Sequence, residues 1–276
     1  MKQIVREAIR RSWRVTPFKS SIKRFGKPVV ESVLTSRAMP GCWLRTLRLY
    51  RILSVKYGHL RSAATLRSID ARGEAIPWIT YPALEYIKQL DFSDKTVFEY
   101  GCGGSTIFWS HLARHVDSVE HDSAFYQFVK AQLPENCTLS LELEPEEYIH
   151  APERHGPYDV IVIDGHSRVR CSEIAPRHLK EGGLIILDNS DWFFEASANL
   201  RNADLIEVDM AGMAPISDFV STTSFYFHRQ FSGRPRSGKQ PVGAIGSIPK
   251  PYFPKVTGPT GQVGLPDLPD PRVTAL

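Results

Sequence analysis

The chain has 276 residues, 42% of them hydrophobic and 11% aromatic, and a formal net charge of +4. That is enough apolar material for one full core with appendages. No uncharged apolar run approaches the ~20 residues that span a bilayer, and Cys42, Cys102, Cys137 and Cys171 are scattered without a CxxC pair, so a membrane-spanning protein, a zinc ribbon and a disulfide scaffold are excluded and a reducing, cytoplasmic setting is expected.

The small net charge conceals opposite parts. Residues 1–75 hold about 17 Lys and Arg against 4 Asp and Glu, whereas residues 76–230 hold about 11 against 24. These bounds predict a basic helical N-terminal extension followed by an acidic central domain. In residues 231–276 about 16 of 46 positions are Gly or Pro and large aliphatics are scarce, which predicts a flexible tail.

The opening MKQIVREAIRRSW places Ile4, Val5, Ile9 and Trp13 at helical spacing, with Arg6, Arg10 and Arg11 largely elsewhere, the pattern of a basic amphipathic helix. It lacks the continuous apolar stretch of a secretory signal. Three readings stay open: a surface helix packed on the domain or on the partner in a homodimer, a peripheral contact with an anionic membrane surface, and an Arg-rich transit peptide. The segment WLRTLRLYRIL repeats the pattern with Arg45, Arg48 and Arg51.

From Pro77 onward short apolar runs alternate with helical stretches. The runs cover 96–100, 116–121, 137–143, 158–164, 182–188, 204–209 and 223–228. Helices are expected over 104–114, 123–132 and 168–179, the last stopping at Lys180 before Gly182 and Gly183. Such alternation implies an α/β, Rossmann-like, mostly parallel sheet with helices on both faces. Its ligand site is expected at the carboxyl ends of the strands, beside the point where strand order reverses.

At the end of the first run stands FEYGCGGST. Gly101, Gly103 and Gly104 allow unusual dihedrals and close approach of a ligand to the backbone, and the helix behind them offers free N–H groups. In a dinucleotide loop the third glycine of GxGxxG would occupy position 106, but Thr106 is there, which disfavours a pyrophosphate. Glu120, about 20 residues on, is placed to accept both hydroxyls of a ribose. A nucleoside without a phosphate chain fits this pair, against the plainer reading of a tight turn and ordinary charged strand ends at Glu120 and Asp122.

On these residues the stretch 77–228 resembles the class I S-adenosylmethionine-dependent methyltransferases. FEYGCGGST looks like their first motif, with Glu99 as the acidic residue facing the methionine part of the cofactor, and SVEHD like the second, with Glu120 on the ribose. The resemblance implies a seven-stranded sheet whose last strand is antiparallel, and an adenine contact in the region Glu142–Glu147. One departure is Ser105, where many members have a further glycine; it remains within the expected cofactor loop.

VIDGHSR and ILDNSDWF each end a buried run with an aspartate. Asp164, Asp188 and Asn189 could offer three oxygen ligands to a hard cation such as Mg²⁺, and the set looks like that of the cation-dependent catechol O-methyltransferase group, in which the metal acidifies a substrate hydroxyl. Asp164 thereby counts at once as cofactor-edge, metal and catalytic candidate. The lysine which that group carries three residues after its first aspartate is replaced by Ser167, so the base role passes to His166, an imidazole suited to taking a proton near neutrality; a hydrogen-bonded turn histidine is its alternative. Arg168 is the nearest cation and a candidate substrate contact. Asp191 is expected to cap the helix opening with WFFEASANL.

Ahead of the first motif, PWITYPALEYI carries Trp78, Tyr81 and Tyr86, and Trp78 or Tyr81 is expected to wall the cofactor or substrate pocket. The loop 210–221 is expected to face substrate. The reading is a methyltransferase acting on oxygen of a small molecule or glycan, with S-adenosyl-L-methionine and a possible Mg²⁺. An aminopropyltransferase-like enzyme sharing Glu99 and Glu120, and a non-catalytic membrane- or nucleic-acid-binding module, remain the alternatives.

Overall fold

The computed structural model describes residues 40–248; the amphipathic segment at 1–14, and with it the dimer, membrane and transit readings, lies outside them. The chain divides into two units at Tyr50–Arg51. In the first, helix α1 (Pro40–Arg51) covers most of WLRTLRLYRIL. No helix among the described residues is long and apolar enough to cross a membrane.

The second unit begins with a π-helical turn, Ile52–Lys56, and helix α2 (His59–Thr65). Gly58 joins them at φ 78°, with the backbone of Asp70 and Ala71 2.4 Å from where a Cβ would stand, so only glycine fits there. Ser62 donates to the Ile69 carbonyl at 2.6 Å and accepts from the Ile69 N–H, while Leu53 and Tyr57 pack on the core. Residues 51–75, expected within the N-terminal extension, fall in the same compact unit as the sheet; Ile69 is buried and Leu53 and Tyr57 pack on the core, while Val55, Leu60 and Leu66 stay exposed.

Helix α3 (Tyr81–Gln89) precedes the sheet. The strands are β1 (Thr96–Tyr100), β2 (His115–Glu120), β3 (Cys137–Leu141), β4 (Tyr158–Ile163), β5 (Leu179–Asp188), β6 (Ile206–Met213) and β7 (Val220–Phe227). Between them lie α4 (Gly104–Ser110), α5 (Ser123–Lys130), α6 (Pro145–Ile149), α7 (Arg168–Ile174) and α8 (Phe194–Asn202). The order is β3-β2-β1-β4-β5-β7-β6. β7 alone runs against the rest, the seven-stranded arrangement that the resemblance implied.

Alternation along the central strands explains their continuous apolar look. Val97, Val160, Val162, Leu184 and Ile186 enter the cluster under α3 and α4. Phe98, Ile161, Ile163, Ile185 and Leu187 enter the opposite one, under α7 and α8. Both faces are covered, so both sets are apolar, and each fully buried side chain of this size contributes roughly 1.5–3 kcal/mol. Two boundaries differ from expectation. β5 starts at Leu179, so Lys180 is a strand residue, with its ammonium on Asp159 at 2.8 Å. The β6–β7 hairpin is longer than expected, leaving only 214–219 as loop.

The expected flexible tail is corrected over its first part. Residues 231–248 dock along α3: Asp91 N–H donates to Arg234 O, Arg236 N–H to Gln89 O, and Val242 and Ile245 N–H to the side chains of Gln89 and Glu85, at 2.8–3.1 Å. Arg234 also pairs with Asp91 at 2.8 Å. Backbone hydrogen bonds hold this segment, and these are invisible to a composition count based on aliphatic residues. The remainder of the tail lies outside the described residues.

Candidate active site at the carboxyl edge of the sheet

β1 is followed in space by β2 on one side and β4 on the other, so strand order reverses at the β1/β4 crevice. The register sets Tyr100 beside Val119 and Ile163, and Ile163 beside Leu187. The next residues, Gly101, Asp164 and Asp188, therefore leave the sheet at one level. A Cβ on Gly165 would meet the Tyr148 hydroxyl at 2.1 Å and the Gly101 nitrogen at 2.8 Å; the two crossing turns close on each other only because this residue is glycine.

On the β1–β2 side, Gly101 and Gly103 have φ of 97° and 145°, which confines these positions to glycine. Thr106, in the place of a dinucleotide loop's third glycine, is fully buried. Its hydroxyl accepts the Gly103 N–H at 3.0 Å and donates to Glu99 Oε2 at 2.5 Å, so it ties the loop to the strand. Glu99 is 1% exposed. Burial pushes its pKa up to about 7, opposed by hydrogen bonds from Ser105, Thr106 and Ser118. Ser105 thus supports the carboxylate that the loop surrounds.

Glu120 is also buried. Its Oε1 accepts the backbone N–H groups of His121 and Asp122, both at 2.8 Å, and the Cys102 thiol lies 3.4 Å from Oε2. Burial and the neighbouring carboxylates raise the pKa of that thiol far above its ordinary value, so it remains a weak donor. Asp122 caps α5, accepting from Ala124 and Phe125 N–H. His121 and His166 stack at 4.8 Å with 21° between the rings, and Tyr148 meets both edge-on. His166 is exposed on the rim of this edge, and its ring nitrogens bond no described residue.

The β4–β5 side is built differently. The Arg168 guanidinium uses all five of its donors on the two strand ends. Nε gives to Gly165 O at 3.2 Å, Nη1 to Asp188 O at 2.5 Å and Asn189 Oδ1 at 2.9 Å, and Nη2 to the carbonyl and Oδ1 of Asp164, both at 2.9 Å. The Phe193 ring lies 5.0 Å from the guanidinium carbon. Asp188 Oδ1 accepts the Thr223 hydroxyl at 2.6 Å, and the same hydroxyl accepts the Thr80 N–H. Burial and the Asp164 carboxylate both push Asp188's pKa upward. Burial raises Asp164 as well, and the Arg168 guanidinium opposes that rise; Asp164 is the more exposed of the pair, its side chain 24% exposed against 5% for Asp188.

This geometry tests the expected Mg²⁺ set. Asp164, Asp188 and Asn189 do converge, but the residues do not fit a cation. The oxygens of Asp164 and Asn189 that would bind it are engaged by a positive guanidinium lying between them, and no group of three or more His, Cys, Asp or Glu among the described residues is arranged to hold a metal. Arg168, expected as a substrate contact, spends its five N–H groups within the protein in this structure.

Other expectations also move. Tyr81 is buried, with its hydroxyl 3.2 Å from His59 Nδ1 and its ring 4.5 Å from Tyr57, so it is a core residue and not a pocket wall. Trp78 is 40% exposed and donates to Ser217 at 3.0 Å, joining the 66–80 segment to the β6–β7 loop. Asp191 does not cap α8: the helix starts at Phe194, and Asp191 accepts the Thr222 N–H at 2.9 Å, holding the β5 exit against β7. In the expected adenine region, Glu142 and Glu147 both pair with Arg154. Thr106, Thr223 and His121 were missed as site residues. The available signals were a hydroxyl three residues after a glycine and a histidine directly after Glu120; Thr223 carries none outside its strand.

No protein-family model matches the chain, and no curated protein matches it. Similar solved structures include a precorrin-6y C5,15-methyltransferase from Geobacter metallireducens GS-15, 18% identical over 52% of this chain and 86% of that one, with a TM-score of 0.44. The N-methyltransferase NodS from Bradyrhizobium japonicum WM9 is 10% identical over 53% and 93%, TM-score 0.41. Spermidine synthase from Thermotoga maritima is 13% identical over 55% and 57%, TM-score 0.40. At TM-scores below 0.5 these likenesses carry no functional argument; the site's own residues carry it.

Proposed function

We propose that the chain is an S-adenosylmethionine-dependent methyltransferase that acts on an oxygen of a small molecule or glycan. The observation that carries this is the pairing of two buried carboxylates, Glu99 and Glu120, around a glycine loop at the switch point of a β3-β2-β1-β4-β5-β7-β6 sheet. S-adenosylmethionine supplies a methyl already activated on a sulfonium, so the protein's task is alignment and removal of one proton.

The residues suit that division. Glu99, raised to about 7 by burial, gains from a cationic amine placed over it. Glu120 is held by two backbone N–H groups with its second oxygen turned toward Cys102, and can accept ribose hydroxyls. Gly101 and Gly103 leave the backbone uncovered by Cβ atoms. His166 stands at the same edge with both ring nitrogens unbonded, the geometry a general base needs before substrate arrives.

An aminopropyltransferase would also use Glu99 and Glu120 but needs net negative charge for its amine acceptor. The two aspartates at that place are faced by Arg168, which favours the methyltransferase reading. Purified protein is incubated with S-adenosylmethionine and, in parallel, with its decarboxylated form, each with a panel of hydroxylated metabolites, sugars and polyamines, and read by mass spectrometry: a product heavier by one methyl group supports the proposal, and an aminopropylated amine from the decarboxylated donor with no methylated product overturns it.

A further inference from the structure

We propose that Arg168 is the resident cation of this site, standing where a divalent ion would bridge Asp164, Asp188 and Asn189, so that the site excludes such an ion until Arg168 is removed. The inference goes beyond the methyltransferase reading and does not depend on it.

Three observations support it. The guanidinium contacts oxygens from both strand ends, Asp164 Oδ1 and Asn189 Oδ1 at 2.9 Å each, with Asp188 Oδ2 4.0 Å away. Asn189 holds its side chain toward this point from a left-handed backbone, φ 54°, a conformation asparagine tolerates better than most residues. The cation is also fixed: all five donors are used, Phe193 covers it, and its side chain is only 13% exposed. A metal at this point would have to lie against the guanidinium nitrogens, positive charge against positive charge, since Mg²⁺ and Mn²⁺ bind oxygens at about 2.1 Å. An arginine keeps its charge at any pH a protein survives, so the two carboxylates have a permanent counter-charge.

A consequence separates this from a merely structural staple. Removing the guanidinium charge while keeping the fold leaves two carboxylates and an amide oxygen converging on a space freed by the side chain, a hard-cation site. Mn²⁺ is the probe, titrated by calorimetry and by electron paramagnetic resonance into the full chain without cofactor. Wild type is expected to bind none at this site. Arg168→Met is expected to bind one Mn²⁺, with half-saturation on the order of a hundredfold or more below the highest concentration at which wild type shows no binding, because like-charge repulsion at this range is removed, and to melt higher with Mn²⁺ than without. Adding Asp164→Asn to that variant should abolish the gain. If Arg168→Met does not fold, Arg168→Gln, which keeps hydrogen-bonding capacity without charge, takes its place. Stoichiometric Mn²⁺ binding by wild type that is lost in Asp164→Asn would overturn the proposal, as would a folded Arg168 variant that binds no Mn²⁺.

Discussion

The two halves of the carboxyl edge each carry two acidic side chains at strand ends, but they balance them by opposite means. On the β1–β2 half, Glu99 is met by the hydroxyls of Thr106 and Ser118, and Glu120 by the backbone N–H groups of His121 and Asp122 and by His121 Nδ1 at 3.0 Å, with no arginine or lysine among the described residues on either. On the β4–β5 half, Asp164 and Asp188 face a full guanidinium. Hydroxyl and backbone donors hold a carboxylate without cancelling its charge, which on the proposed function leaves the first half free to receive a cationic ligand. The second half is balanced internally, and its charge is spent on joining two strand ends. One edge thus contains a receiving half and a closed half.

The largest expected effect comes from breaking the closed half. Arg168→Met leaves Asp164 and Asp188 facing each other with little solvent, and unpairing buried charges of this kind costs about 3–5 kcal/mol; denaturant unfolding should show the loss. Wild-type spacing of 4.0 Å or less between the guanidinium and both carboxylates makes the cost specific to charge, so Arg168→Lys should recover part of it.

On the receiving half, the prediction concerns pH. Glu99 holds its proton up to about pH 7 in the folded protein, against 4.5 as an ordinary carboxyl. The folded state therefore binds the proton more tightly than the unfolded chain, and stability falls as pH rises between these values. The ceiling on this loss is roughly 3 kcal/mol, and Glu99→Gln should flatten the difference between about pH 5 and about pH 8. Cofactor affinity should move the other way, rising with pH through about 7, because a cationic amine needs Glu99 ionised; calorimetry across that range checks it.

A smaller effect is expected at the link between loop and strand. Thr106→Val keeps the volume but loses both hydroxyl bonds, leaving Glu99 and the Gly103 N–H each one partner short, a cost of about 1–3 kcal/mol. The loss should be larger in ligand affinity than Asp164→Asn causes, since the Thr106 side chain bonds both the glycine loop and Glu99 whereas the Asp164 side chain bonds Arg168. The smallest effect is an expected absence of change: excess chelator should leave the proposed methyl transfer intact, because Arg168 supplies the fixed charge.

Much of this edge was legible in the sequence, for a physical reason. Strands buried on both faces read as unbroken apolar runs, and the acidic residues at or next to their carboxyl ends, Glu99, Glu120, Asp164 and Asp188, break that pattern. The glycines read equally well, since 101 and 103 have positive φ. What the sequence did not reveal was partnership. Asp164 and Arg168 sit four residues apart, yet the helix carrying Arg168 starts at that residue, and the fold alone bends its side chain back across two strand ends. A ligand set of Asp, Asp and Asn looks the same whether an ion or a guanidinium fills it. The docked segment 231–248 escaped notice because its backbone hydrogen bonds to α3 and Asp91 leave no mark on composition. Asp191 misled because a cap and a cross-strand clamp use the same side chain.

The central claim is that Glu99 and Glu120 around the glycine loop receive a nucleoside cofactor, and titration calorimetry of S-adenosylhomocysteine against wild type and Glu120→Ala tests it most directly. The account predicts one-to-one binding by wild type and a loss of about 1.5–3 kcal/mol in the variant, the range for hydrogen bonds to a charged group. No binding by wild type, or equal affinity in the two proteins, would contradict it.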